Sequence, residues 1–324
     1  MDRRVRPLRL LIAGGALIAA GLAAGATAET ALKALVWIAP GHEAAALTRQ
    51  PAACLGAAAT DPAVNTGRAL FNAPQLLGGQ AARAGISCAS CHSNGRRNMH
   101  FQLAGISDGP GTADVSASFF SVARGNGRFD PMPIPDLSQP GRISRDPDSA
   151  TLERFLRGLI VEEFSGKPPS DAALADLAAY VRAVRPCPDR ADEPVRLAYR
   201  LGVFRDTVRS AARASATGDA GTADVLTGSA RWQLGLIDER LAPGGHAVAS
   251  KSLLATSRRL QALQAAEASP RAYLLLLASF DRETAPRLEK AEASSLYGAE
   301  VVDRWLARQP ARRQPAGQTP SEIR

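Results

Sequence analysis

The sequence predicts an all-α protein in two parts: a helical domain built around a short cysteine- and histidine-bearing stretch, then a helical bundle. Three observations carry this. Apolar residues recur at helical spacing in both halves, with capping residues and prolines at the expected ends. One stretch, Cys88-Ala89-Ser90-Cys91-His92, stands outside that periodicity and carries chemistry. A polar, proline-bounded stretch over residues 188–194 (PDRADEP) marks a shift to an Ala-, Leu- and Arg-rich second half. At 324 residues, 45% hydrophobic and 22% charged, the chain can bury a sizeable core and form two domains.

Residues 1–28 read as an export signal. A basic stretch to Arg9 precedes an apolar run from Leu10 to Ala24, and Ala26-Thr27-Ala28 offers a cleavage site. The rival reading is an uncleaved membrane anchor, because the run is just long enough to span if Leu8 to Ala28 is counted, with Arg9 near its end. Either places the bulk of the protein outside the cytoplasm, in the periplasm. The formal net charge is +8; the leader takes four arginines and one aspartate with it, leaving +5. That mild basicity suits an acidic protein partner or a membrane surface and makes no demand for nucleic acid. Residues 29–59 form an N-terminal segment in which the apolar run from Leu32 to Ala39 could lie on a membrane.

A first domain is expected over residues 60–187. Asp61 to Phe71 reads as a helix, with Asp61 as cap and Pro62 in its first turn; Gly67 inside it implies a close helix contact. A loop then leads into Cys88-x-x-Cys91-His92, the pattern of covalent c-type haem attachment. Each thiol can add across a haem vinyl group, and the adjacent His92 can ligate the iron, so one haem is fixed in orientation and cannot diffuse away. A thioredoxin-like site would need a preceding strand, and zinc would need a second Cys pair or a His pair; the sequence offers neither. Arg124 to Gly141 is too rich in Pro and Gly for regular structure. Helices follow over Asp148 to Phe164 and over Ser170 to Val184, the second capped by Ser170 and stopped by Pro186.

A first helix bearing Gly67 and Phe71, the Cys88–His92 motif, the proline-flanked Met132 and a last helix containing Ala179-Tyr180-Val181 together resemble class I cytochrome c. The stretches Gly67 to Phe71 and Ile86 to Cys88 are also similar to the haem domains of bacterial di-haem cytochrome c peroxidases. The resemblance spans about residues 60–186. It implies that the first and last helices cross at Gly67 with Tyr180 packed nearby, and that a methionine sits opposite His92.

Met132, held between Pro131 and Pro133, is the leading candidate for that sixth iron ligand. Met99 and His100 are the alternatives, and an open site remains. Arg96, Arg97, Arg124, Arg128 and Arg142 are candidates to pair with haem propionates. His42 reads as a surface or linker residue. With Cys88 and Cys91 used by haem, Cys54 and Cys187 remain, and an oxidising compartment would let them bridge; two free thiols is the bland alternative.

The second part, residues 195–308, reads as a bundle of four or five helices, and residues 309–324 as a disordered tail. Tyr273 to Phe280 is an apolar run expected to be buried on most sides; Leu288 to Trp305 is expected to form one final helix. His246 sits alone at a Gly-rich turn, and the bundle shows no catalytic or phosphate-binding pattern. The function expected is a periplasmic or membrane-associated cytochrome that transfers single electrons to redox partner proteins. A peroxidase-like enzyme or a haem-based sensor, each with an open iron position, is the alternative. The peroxidase family depends on a second haem, and this chain has a single attachment motif.

Overall fold

The structure, a computed structural model, describes residues 32–117, 119–120, 123–187 and 192–309. The expected leader lies outside the described residues, as do the expected tail beyond Gln309 and part of the 188–194 stretch. Among the described residues the fold is helical, with four very short strands. No described helix is long and apolar enough to cross a membrane.

In chain order the elements are α1 (Glu43–Thr48), β1 (Arg49–Pro51), α2 (Pro62–Phe71), α3 (Pro74–Leu77), α4 (Gly79–Arg83), α5 (Cys88–Cys91), β2 (Thr112–Ala113), β3 (Met132–Pro133), α6 (Thr151–Gly158), α7 (Asp171–Ala183) and β4 (Asp192–Pro194). The second half supplies α8 (Leu197–Ala216), α9 (Ala220–Leu241), α10 (Ala247–Ala265), α11 (Pro270–Glu283), α12 (Ala285–Ala291) and α13 (Ala299–Leu306). Strand β1 pairs antiparallel with β4, matching Arg49 to Pro194, and β2 pairs antiparallel with β3, matching Ala113 to Met132.

Helices α2 and α7 form as their sequences dictate. The Asp61 side chain accepts the Ala63 N–H at 2.8 Å and Pro62 fills the first turn. Ser170 Oγ accepts the Ala173 N–H at 3.1 Å. The two helices cross at Gly67, where an added Cβ would stand 2.0 Å from the Asp176 carbonyl oxygen and 2.7 Å from the Tyr180 Cβ. Only glycine permits that approach. Phe71 and Tyr180 pack tilted beside the crossing, ring centroids 5.1 Å apart. Cys54 and Cys187 are disulfide-bonded across a separation of 133 residues, with Cα atoms 5.7 Å apart.

A single buried cluster runs from Trp37 through α2, α7, α8 and α9 to Ala291, so residues on both sides of the 188–194 stretch share one core. Polar contacts cross it too. Thr66 donates to Ser210 at 2.9 Å in the interior, Arg68 pairs with Asp206, and Arg213 with Asp176. A smaller cluster joins Leu32, Leu35, Ile38 and Leu47 to Leu296, Val302 and Trp305. Within the run Leu32 to Ala39, Leu32, Leu35 and Ile38 thus join a cluster with residues of α13, while Trp37 joins the main core.

The structure corrects three expected elements. The helix from Asp148 to Phe164 begins at Thr151, and its last turn widens to a π turn over Leu159–Glu163. In α11 Tyr273, Leu276, Leu277 and Phe280 are buried while Leu274 and Leu275 are 50% and 59% exposed: the helix has a sided core face, and leucines occupy its outer one. The expected last helix is two, α12 and α13. The chain turns between them at Gly298, where a Cβ would stand 2.5 Å from the Ala293 carbonyl, and the Leu296 N–H donates to the Arg240 carbonyl at 2.9 Å.

Candidate functional site

The centre of the site is α5, a single helical turn. The Ser87 N–H donates to Ser90 Oγ at 3.1 Å, and the His92 N–H donates to the Cys88 carbonyl at 2.8 Å, closing the turn. Cys88 and Cys91, three residues apart, therefore share one face. Both are half-buried free thiols. Burial pushes each of them up to about 12, with the neighbouring Cys88 adding to the effect at Cys91, so both stay neutral at pH 7.

Past His92 the backbone reverses through two left-handed residues, Asn94 (φ 53°) and Gly95 (φ 75°). Asn94 tolerates this conformation because its side chain is anchored: its Nδ2 donates to the Pro51 carbonyl at 2.7 Å, and its Oδ1 accepts the Tyr199 hydroxyl. The motif is thereby tied to both the N-terminal segment and α8. At Gly95 a Cβ would stand 2.6 Å from Val184, so space as well as φ demands glycine.

The His92 ring is held from the far side of the loop. Its Nδ1 lies 3.1 Å from the Pro135 carbonyl oxygen. A carbonyl only accepts, so Nδ1 carries the proton and Nε2 keeps its lone pair. Burial lowers the ring to about 4, opposed by the Pro135 carbonyl and by Asp136, and it is therefore neutral at pH 7. The 134–137 segment is itself docked: the Leu137 N–H donates to the Gly95 carbonyl at 3.1 Å, and Arg96 Nε reaches both Asp136 oxygens at 3.0 and 2.8 Å. Arg145 clamps the same region from outside, donating to the carbonyls of Leu137, Val181 and Arg182.

The other expected residues are dispersed. Met132 is on β3, three residues before Pro135, with 68% of its surface exposed. Met99 is 51% exposed. His100 turns to His42, the two Nδ1 atoms 3.1 Å apart. Burial lowers His100, followed by the effect of His42, with Asp192 opposing. Among the arginines, Arg96 is engaged by Asp136, Arg97 donates to the Gly111 carbonyl at 3.1 Å, and Arg124 pairs with Glu162 and Glu163. His246 sits against Ser294, its Nε2 3.2 Å from that residue's carbonyl oxygen.

Asn94, Pro135, Asp136, Arg145 and Tyr199 all position the site, and none was expected to. A backbone carbonyl such as that of Pro135 leaves no side-chain signature in a sequence. Tyr199 lies 105 residues from the Asn94 it contacts, beyond any local pattern.

These residues fit a covalently attached haem. Two neutral thiols lie one helical turn apart, followed by a neutral imidazole whose lone-pair nitrogen is fixed by its other nitrogen's hydrogen bond. In sequence between His92 and Pro135, five large apolar side chains, Met99, Val115, Phe119, Phe129 and Met132, are each at least 41% exposed. Among the described residues no three His, Cys, Asp or Glu converge into a conventional metal cluster. The chain matches no known family model, no curated protein and no solved structure.

Proposed function

We propose that this chain is an exported c-type cytochrome that carries single electrons on one haem, bound covalently through Cys88 and Cys91 and ligated by His92. The observation that carries the reading is the bond between His92 Nδ1 and the Pro135 carbonyl, because it fixes the tautomer and plane that an axial ligand needs. The bound haem would supply a one-electron iron couple, and the protein's part is to hold, orient and shield it. Cys88 and Cys91 anchor the ring edge. The Arg96–Asp136 pair and the Leu137–Gly95 hydrogen bond keep the Pro135 carbonyl in place, so that His92 reorganises little between oxidation states. Met132 would supply the second iron ligand: it stands between two prolines that stiffen its backbone, and most of its surface is uncovered. The Cys54–Cys187 disulfide supports an oxidising compartment such as the periplasm. Redox partner proteins with acidic docking faces fit the basic balance of the chain.

The test is intact mass under denaturing conditions of protein made in a host competent for c-type maturation. One haem should remain attached, and Cys88→Ser with Cys91→Ser should abolish it; loss of haem from the wild-type protein on unfolding would overturn the proposal.

The same carbonyl favours a second reading. Pro135 lies on the Nδ1 side of His92, away from the nitrogen that would meet iron, and Met132 is only three residues from it. On this reading Met132 would not reach the iron, His92 would be its one protein ligand, and the haem would supply peroxidase-like or gas-sensing chemistry.

A further inference from the structure

His42 and His100 are 58 residues apart in sequence and meet Nδ1 to Nδ1 at 3.1 Å, with ring centroids 5.3 Å apart and planes inclined at 78°. The electron-transfer reading makes no use of them. We propose that they form a two-imidazole chelate for a divalent first-row transition ion, with copper(II) the tightest-bound and zinc(II) a weaker occupant.

The backbone builds this pair. Ile38 and Phe101 form an antiparallel bridge, flanked by the Ala39 N–H donating to the His100 carbonyl at 2.8 Å and the Gln102 N–H donating to the Trp37 carbonyl at 3.0 Å. Phe101 is fully buried and Ile38 nearly so, which locks the register. From Ala39 the chain turns through Gly41 (φ 85°), and the His42 N–H returns to the Ala39 carbonyl at 3.0 Å. His100 is set by its own N–H donating to Asn98 Oδ1 at 3.0 Å, and Asn98 Nδ2 in turn donates to the Ser90 carbonyl at 2.8 Å. Both histidines are thus positioned by backbone hydrogen bonds and turn geometry.

The spacing matches chelation. With metal–nitrogen bonds of about 2.0–2.1 Å, two nitrogens 3.1 Å apart subtend about 100° at the ion. That angle lies between the square and tetrahedral values; with centroids 5.3 Å apart the rings approach nearly end to end, so each must tilt to turn its lone pair toward a shared ion. Imidazole suits copper, nickel and zinc, and copper(II) heads the affinity order for nitrogen sites. Both rings are half-buried, so water can complete the coordination from the open side. A direct hydrogen bond between the rings explains the same distance with a proton in place of the ion. Metal binding separates the two.

The experiment uses untagged, full-length, haem-loaded protein stripped with a chelator and titrated with copper(II) sulfate or zinc chloride. Calorimetry reads affinity, and electron paramagnetic resonance reads the copper ligands. The proposal expects one equivalent of copper(II) with two nitrogen donors. His42→Ala and His100→Ala each remove a ligand and should each weaken binding by at least the roughly tenfold that losing even an outer-shell partner costs, and His246→Ala should leave it unchanged. His42→Gln replaces His42→Ala if the alanine variant loses its fold. Binding that survives both substitutions, or no binding at all, overturns the proposal. So does a change in the haem absorption spectrum of His100→Ala, which would assign His100 to iron.

Discussion

Replacing Gly67 with alanine sets two effects of opposite sign against each other. Inside a helix, alanine is favoured over glycine by about 1 kcal/mol, through propensity and the narrower unfolded ensemble. At Gly67, however, the new Cβ would lie 2.0 Å from the Asp176 carbonyl oxygen, against the 3.4 Å at which ordinary contact begins. Helix α7 must retreat by about 1.4 Å or distort, and forced overpacking of this kind costs about 1–3 kcal/mol. The atom encountered is backbone, which cannot rotate away, so the upper end applies and the net loss is about 2 kcal/mol. Gly202 in α8 and Gly235 in α9 are internal controls, since a Cβ at either meets nothing within 4 Å. Urea unfolding followed by far-ultraviolet circular dichroism should show Gly67→Ala losing stability while Gly202→Ala and Gly235→Ala gain up to about 1 kcal/mol. If Gly67→Ala behaves like the controls, the close crossing of α2 and α7 is wrong.

Other perturbations follow from single contacts. The Cys54–Cys187 bond closes a loop of 133 residues, for which chain entropy gives at most about 5 kcal/mol; reductant should lower the wild-type urea midpoint and leave that of the Cys54→Ser, Cys187→Ser double variant unmoved. Tyr199→Phe leaves Asn94 Oδ1 without its hydroxyl donor and should cost about 1–2 kcal/mol in the same unfolding assay. The Arg182 hydrogen bond holds Glu153 below the usual glutamate range against some burial. Its contribution is therefore complete above the unfolded value near 4.3 and lost as pH falls through the lower folded value. Glu153→Gln should accordingly destabilise the protein at pH 6 and much less at pH 2.5, measured by thermal unfolding; an equal loss at both values would contradict the pairing.

How far the sequence discloses this molecule depends on the range of the signal. Asp61, Pro62 and Ser170 mark their helices because caps act within three residues, and Gly67 announces a close contact because glycine is costly in a helix. Cys88, Cys91 and His92 are adjacent enough to be read together. Leu274 and Leu275 mislead, because leucines on an exposed face hide the polar side that defines a helical period. Between α12 and α13 Gly298 lies so close to the Ala293 carbonyl that no side chain fits, a local contact that a 3.6-residue pattern passes over. The two-stranded ladders are two and three residues long, too short to show alternation. The Pro135 carbonyl, the Tyr199–Asn94 bond and the His42–His100 pair arise only when distant segments are brought together. They also determine what the motif can do.

The most direct test of electron transfer is an optical redox titration of the purified protein, with Met132→Ala alongside and a peroxide addition at each end point. The account predicts a single one-electron transition between two six-coordinate, low-spin states, no reaction with peroxide, and loss of the thioether-to-iron band in Met132→Ala. High-spin iron in either state of the wild-type protein, with a spectrum that changes on adding peroxide, would contradict it and leave the open-site enzyme as the reading.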